Sequence, residues 1–325
     1  MKLPRRQLLR LALNAAALPA LSRVAGAQAW PTQPVRIIVG FGAGGAPDVV
    51  GRLIGQWLSE RLGQPFIVEN RPGAGGNIAT EAVVRAAPDG SMLLVVGTWN
   101  ASNAALYPNL AFDFMRDVAP VASIGNVPYV MVVDPSFPAQ TVPEFVAYAR
   151  ANPGKLSMAS PGIGTTPHLV GELFRFMAGI DIVHVPYRSS ASALTDLLGG
   201  QVQMTFGPLP STIGYVRAGK LRALAVTTEA RLKLLPDIPT VGEFMPGYEG
   251  SGRYGIGAPR NTPVEIVDKL NREINASLAD PGMQARFADL GVEPTPMTPA
   301  EFGKLIADEA GKWGKVIRAA NIKVE

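Results

Sequence analysis

The chain has 325 residues, 47% hydrophobic and 17% charged, which excludes an intrinsically disordered protein and leaves room for two lobes of ordinary size. The absence of cysteine excludes disulfides and thiolate chemistry, and two histidines, His168 and His184, without an H-E-x-x-H motif, argue against a histidine-rich metal site. The formal net charge is +4, but Lys2, Arg5, Arg6, Arg10 and Arg23 place five positive charges in the first 29 residues with no acid among them, so the remainder is near about −1 and offers no electrostatic footprint for nucleic acid.

Residues 1–29 read as an export signal: a basic patch, a short Leu/Ala stretch, then small residues at alternating positions before Trp30. Arg5 and Arg6 followed by Gln7-Leu8-Leu9 resemble a twin-arginine signal; a general secretory signal with adjacent arginines fits the same residues. No uninterrupted apolar run reaches the roughly 18–20 residues that span a bilayer, so the expected location is the periplasm, with the signal removed.

Beyond the signal, "VRIIVGF" predicts a strand, "DVVGRLIGQWLSERLG" a helix, "PFIVEN" a strand, "GGNIATEAVVRAA" a helix and "SMLLVVG" a strand. Such alternation favours a parallel sheet covered on both faces. A Pro-punctuated stretch leads to the strand "VPYVMVVD", and a second α/β series runs from "VPEFVAYARANPG" to "LRALAVTT". After one more strand, "RYGIGAP", three helical stretches close the chain. These have no sheet of their own and are expected to cover the first lobe. The chain then crosses between lobes twice, near Val127–Val133 and Gly247–Gly257. The lobes are residues 30–128 with 251–325, and residues 129–250.

Three loops that follow strands and lead into helices are glycine-rich: "GFGAGGAPD", "NRPGAGGN" and "SPGIGTTPH". Each can offer backbone N–H groups and the positive end of a helix dipole to an anion. The first, with Gly40, Gly42 and Gly45, matches the dinucleotide pattern G-x-G-x-x-G, and Glu69 ends the next strand as that pattern asks. Two features oppose a dinucleotide. The second loop carries its own cluster, Gly73, Gly75 and Gly76, where ribose and adenine would lie, and Asp48 at the start of the first helix would face a pyrophosphate with like charge.

Six stretches in order, "WPTQPVRIIVGFGAGGAPDVVGRLIG", "VENRPGAGGNIATEAVVRAAPDG", "SPGIGTTPHLVGELF", "VPYRSSASALTDLLGGQVQ", "RALAVTTEARLKLLPDIPTVGE" and "GIGAPRNTPVEIVDKLNREIN", resemble the Bug family of periplasmic substrate-binding proteins, also called tripartite tricarboxylate transporter or TctC-like receptors. The resemblance covers essentially the whole chain. It implies a two-lobed α/β Venus-flytrap fold of the type II periplasmic-binding-protein class with two hinge crossings. It also implies a monomer without catalysis or cofactor, whose small carboxylate ligand is gripped by one loop from each lobe and delivered to membrane permease subunits. Carried onto this sequence, the gripping loops are Phe41–Asp48, with Gly44 and Gly45, and Ser160–His168, with Gly162 and Gly164. The sequence departs from the family pattern at Arg188, Ser189, Ser192, Gln203 and Arg253.

Among single residues, Ser160, Thr165 and Thr166 can give hydroxyls to a carboxylate or cap the helix near Pro167. His168, in that helix's first turn, is expected to be neutral because the dipole disfavours imidazolium; His184 alternates as a strand residue. Asp48 caps its helix or orders the loop, or receives a ligand ammonium group. Arg253 either faces the cleft as a carboxylate partner or forms a surface salt bridge. Phe41, Trp99, Tyr187 and Phe206 are candidate cleft walls. Two other functions fit parts of the chain: a receptor feeding a sensor kinase, and a hydrolase using Ser160, His168 and Asp48, although G-x-S-x-G is absent.

Overall fold

The computed structural model describes residues 30–323; the expected export signal lies outside the described residues. The first lobe begins with β1 (Val35–Val39), α1 (Ala46–Leu62), β2 (Phe66–Asn70), α2 (Asn77–Val84) and β3 (Met92–Gly97). β1 is central, parallel to β2 on one side and β3 on the other, which explains its unbroken apolar run: Ile37, Ile38 and Val39 are fully buried. α1 turns Val50, Ile54 and Leu58 inward at four-residue spacing and ends at Gly63, whose left-handed backbone stops it.

Two helices follow where the sequence predicted only a Pro-punctuated stretch: α3 (Thr98–Leu106) and the single turn α4 (Phe114–Asp117). The Gly97 N–H donates to Asn100 Oδ1 at 2.9 Å, so an asparagine inside α3 fixes the helix start where no Ser, Thr or Asp precedes it. β4 (Val118–Val133) then runs for 16 residues.

The second lobe contains α5 (Val142–Ala151), β5 (Ser157–Ser160), α6 (Thr166–Ala178), β6 (Val183–Pro186), α7 (Ser190–Leu198), β7 (Met204–Pro208), α8 (Leu209–Arg217) and β8 (Arg222–Val226). The chain returns through β9 (Ser251–Pro259) and ends in α9 (Val264–Ala279), α10 (Pro281–Leu290), the short β10 (Glu293–Pro294) and α11 (Pro299–Ala319).

The strands join in the order β2-β1-β3-β9-β4-β7-β5-β6. β4 serves both halves of this curled sheet. It pairs antiparallel with β9 from Val118 to Pro128 and with β7 from Tyr129 to Val133. One strand therefore carries the chain out of the first lobe, and the segment entering β9 carries it back.

The expectation that the C-terminal helices all cover the first lobe needs correction at α11. Leu270 and Ile274 of α9 and Phe287 of α10 pack into the first lobe's core. In α11, Phe302 and Ile306 pack with Val96 and Val118, but Trp313 and Ile317 pack with Val170 and Phe174 of the second lobe. The buried face runs the length of the helix, apolar at both ends with Glu309 between them, so one 21-residue helix closes two cores.

Candidate ligand site

The three glycine loops converge between the lobes. The first leaves β1 and is anchored by Asp48, which is buried and accepts from the Gly44 N–H at 2.9 Å, Arg52 Nε at 3.0 Å and Asn70 Nδ2 at 2.9 Å. Burial alone would raise its pKa, but these donors together hold the carboxyl below the usual range. Asp48 is thus committed to loop and helix. Gly45 begins α1 with no side-chain cap, leaving first-turn N–H groups of that helix free to meet a ligand.

The second loop presses on the first: a Cβ on Gly40 would lie 2.8 Å from Gly76 Cα, so neither loop has room for a side chain there. Glu69, the acid that completed the dinucleotide pattern, is paired with Arg71 at 2.8 Å.

The third loop is ordered from within. The Thr165 hydroxyl donates to the Gly162 carbonyl at 2.7 Å, and Gly164 N–H donates to His168 Nδ1 at 3.2 Å, which fixes the His168 proton on Nε2. Ser160 Oγ lies 2.6 Å from His184 Nε2, and the two imidazoles stack with centroids 4.1 Å apart. Burial, with His184 and Arg175 as electrostatic neighbours, pushes His168 down to about 3; burial and Arg175 push His184 down to about 4. Both are neutral at physiological pH.

Thr165 turns its hydroxyl back into the loop, so α6, like α1, starts without a side-chain cap. The next residue differs. Thr166 Oγ1 is fully buried, and among the described residues no group meets it in hydrogen-bond geometry. Burial pushes the Tyr129 hydroxyl up to about 12, against the opposing effect of Tyr254, 3.2 Å away, and of the neighbouring Thr166 hydroxyl.

Two adjoining cavities occupy this meeting point. The narrow one is bounded by Phe41, Gly45, Trp99, Thr165, Thr166 and Ser190, with Tyr129 and Tyr254 as its floor. Phe41 stands edge-on to Trp99 at 4.9 Å, and Trp99 edge-on to Tyr254 at 5.2 Å. The wide one, about 510 Å³, runs past Gly73–Gly76, Tyr107, Gly162, Ile163 and Tyr187 to Arg188. The lobes meet across it: Tyr107, just past the end of α3, donates to the Ile163 carbonyl at 3.2 Å.

Of the residues proposed from sequence, Phe41, Gly45, Gly162, Thr165, Thr166 and Tyr187 line these cavities. Gly44, Asp48, Ser160, Gly164 and His168 stand behind them and brace the loops. Arg253 is a correction: its side chain points to the opposite face of β9, with Nε 3.7 Å from Glu309 of α11, while its neighbour Tyr254 enters the cleft. Phe206 is a second correction, being core rather than wall. A Ser160–His168–Asp48 triad is a third, because Ser160 meets His184, His168 is occupied by Gly164, and Asp48 is held by Arg52. Tyr107, Tyr129, Ser190 and Tyr254 were not anticipated.

Uncapped helix starts from two lobes, an orphan hydroxyl and aromatic walls line this cleft, a set of groups that can meet an anion without a charged side chain. The model of the tripartite tricarboxylate transporter family receptor, TctC, matches residues 50–322. The chain belongs to this family. Protein BugT of Bordetella pertussis is 35% identical over 302 residues, covering 92% of this chain and 93% of its own. The structure of R. palustris Rpa4515 with adipate is 37% identical with a TM-score of 0.88, covering 90% of this chain and 99% of that one. The periplasmic binding protein BugD is 33% identical with a TM-score of 0.88, covering 91% and 100%. The chain is a solute-binding receptor of the periplasmic-binding-protein fold and not an enzyme.

Proposed function

We propose that this receptor captures a small carboxylate-bearing solute between its lobes in the periplasm and delivers it to the permease subunits of a tripartite tricarboxylate-type transporter. The observation that carries the ligand class is Thr166 Oγ1, a fully buried hydroxyl without a partner at the uncapped start of α6. An unpaired buried hydroxyl costs on the order of 1 kcal/mol, and a carboxylate oxygen would satisfy it while meeting the first-turn N–H groups. Adipate, named with Rpa4515, is a ligand of this chemistry.

In this reading Phe41, Gly45, Gly162, Thr165, Thr166 and Tyr187 contact the solute. Residues 30–128 with 251–325 act as one lobe and 129–250 as the other, and residues 1–29 direct export. A solute that touches both lobes favours the closed form by its differential affinity, and the permease reads that form. The protein works as a monomer. The test is a thermal-shift and calorimetric screen against a broad carboxylate panel with NAD(H) included. A ligand at a hundredfold excess over Kd adds about 2.7 kcal/mol, so binding by one carboxylate class is readily seen. Stabilisation by NAD(H) alone, or by no carboxylate, would overturn the proposal.

A further inference from the structure

The wide cavity holds more space than one carboxylate fills, and its lining is neutral with one exception. Across both cavities, among the described residues, Arg188 alone carries a charge. Asp48, the acid nearest in sequence to the lining of the first loop, is already held by Arg52, so it leaves no free negative charge for Arg188.

Among the described residues the Arg188 guanidinium has no hydrogen-bond or ion-pair partner. Arg52, Arg71, Arg175 and Arg231 are each held by a carboxylate, whereas Arg188 forms no ion pair among the described residues. Its backbone, in contrast, is fixed on both sides. Tyr187 N–H donates to the Ser160 carbonyl at 2.8 Å, and Tyr187 Oη donates to Asp196 at 2.7 Å. Ser189 caps α7 by accepting the Ser192 N–H at 3.1 Å. The backbone is thus held while the guanidinium remains available to an anion.

Adjacent positions of this segment divide between the two cavities. Ser190 borders the narrow one with Thr166, and Arg188 borders the wide one. Two residues of extended chain cover at most roughly 7 Å. A solute with one anionic end at Thr166 and Ser190 therefore brings a second anionic end, a few bonds away, within reach of the guanidinium.

We infer that Arg188 is the specificity-determining residue of this cleft, selecting solutes with a second anionic group over monoanions of the same chain length. This rests on the receptor reading above. Charge-assisted hydrogen bonds exceed neutral ones, while the exposure of Arg188 tempers the gain, so the expected preference is roughly tenfold and shrinks with added salt.

The test is calorimetric titration of the protein at low ionic strength with matched pairs: butanoate against succinate, and hexanoate against adipate. The expected result is a diacid bound about tenfold more tightly in at least one pair. In Arg188→Gln the two members of that pair fall to within about twofold of each other, and Arg188→Lys keeps part of the preference. A wild-type protein that binds both members equally, or an Arg188→Gln variant that retains the full preference, overturns this inference and leaves the receptor reading standing. Failure of every carboxylate to bind overturns both.

Discussion

Thr166→Val separates binding from folding by sign. Valine keeps the shape and the buried contacts of threonine but removes Oγ1, which is fully buried and unpartnered. In the ligand-free protein no bond is lost, so stability is unchanged or rises by up to about 1 kcal/mol as an unsatisfied polar group disappears. In a chain of this size that is a Tm increase of at most about 2 °C. Ligand affinity moves the other way: a hydroxyl donating to a carboxylate is worth about 1.5–3 kcal/mol, so Kd should rise roughly 10- to 100-fold. Thr165→Val provides the contrast, because its hydroxyl is already spent on the Gly162 carbonyl at 2.7 Å. That variant loses about 1 kcal/mol of stability without ligand. Thermal melts of the three proteins and titration with a carboxylate that the wild type binds complete the measurement. If Thr166→Val lowered the ligand-free Tm as much as Thr165→Val and left Kd within twofold, the hydroxyl would be a structural group and the reasoning would fail.

Other perturbations test the frame around the site. A Cβ on Gly42 would lie 2.9 Å from Ser189 Cβ across the cleft, at ordinary backbone angles, so Gly42→Ala should hinder closure and weaken binding roughly tenfold while the melting profile holds; an unchanged Kd would show that the loops part freely. His168 and His184 have folded-state pKa values of about 3 and about 4, below the unfolded value near 6.5. The unfolded chain therefore takes up protons first. Their contribution is fully present above pH 6.5 and is lost as pH falls, down to about 4 for His184 and about 3 for His168, at up to about 1.4 kcal/mol per pH unit for each ring. Denaturant titrations at pH 7, 6 and 5 check this above the range where most carboxylates titrate, and a flat profile would contradict the buried neutral pair. Arg253→Ala should leave Kd unchanged, since its side chain faces Glu309, and should cost about 1–2 kcal/mol of stability by stranding that buried carboxylate; an altered ligand range would place Arg253 back in the cleft.

The features legible in the sequence are local ones. The run Val35–Val39, the four-residue spacing of Val50, Ile54 and Leu58, and the glycines that allow Gly40 and Gly76 to touch all express constraints within a few residues or one strand–loop–helix unit. The features that escaped depend on register. Arg253 and Tyr254 are adjacent, and one residue decides which enters the cleft; the choice is made by β9 pairing with β4 and β3, and the glycines flanking it leave no alternation to read. Ser160 meets His184 instead of His168 because parallel pairing sets β5 beside β6, whereas closeness along the chain, eight residues against twenty-four, suggests the nearer histidine. α3 escaped because Thr98–Leu106 carries small and polar residues whose work is done across the molecule, Asn103 donating to the Gly75 carbonyl at 2.9 Å and to Asn77 Oδ1 at 2.8 Å.

The same distinction bears on how the lobes move. A hinge of two crossings describes the chain path, but α11 adds a third mechanical link, with Phe302 and Ile306 rooted in one core and Trp313 and Ile317 in the other. Between those roots sits Glu309, which accepts from Trp313 Nε1 at 3.0 Å and from the Thr98 hydroxyl at 3.3 Å. Thr98 in turn accepts the Arg253 N–H at 3.0 Å. The end of β3, the returning strand and the bridging helix are thus tied at one buried carboxylate behind the cleft. Separating the members of that knot would strand a charge and several donors away from water, so it is the costlier of the interlobe ties to break. The cleft mouth, held by Tyr107 on Ile163 and by the close fit of Gly42 to Ser189, has far weaker ties. The cheaper ties to break therefore lie at the mouth, and a solute that bridges the loops there would add support where the cleft has least of its own.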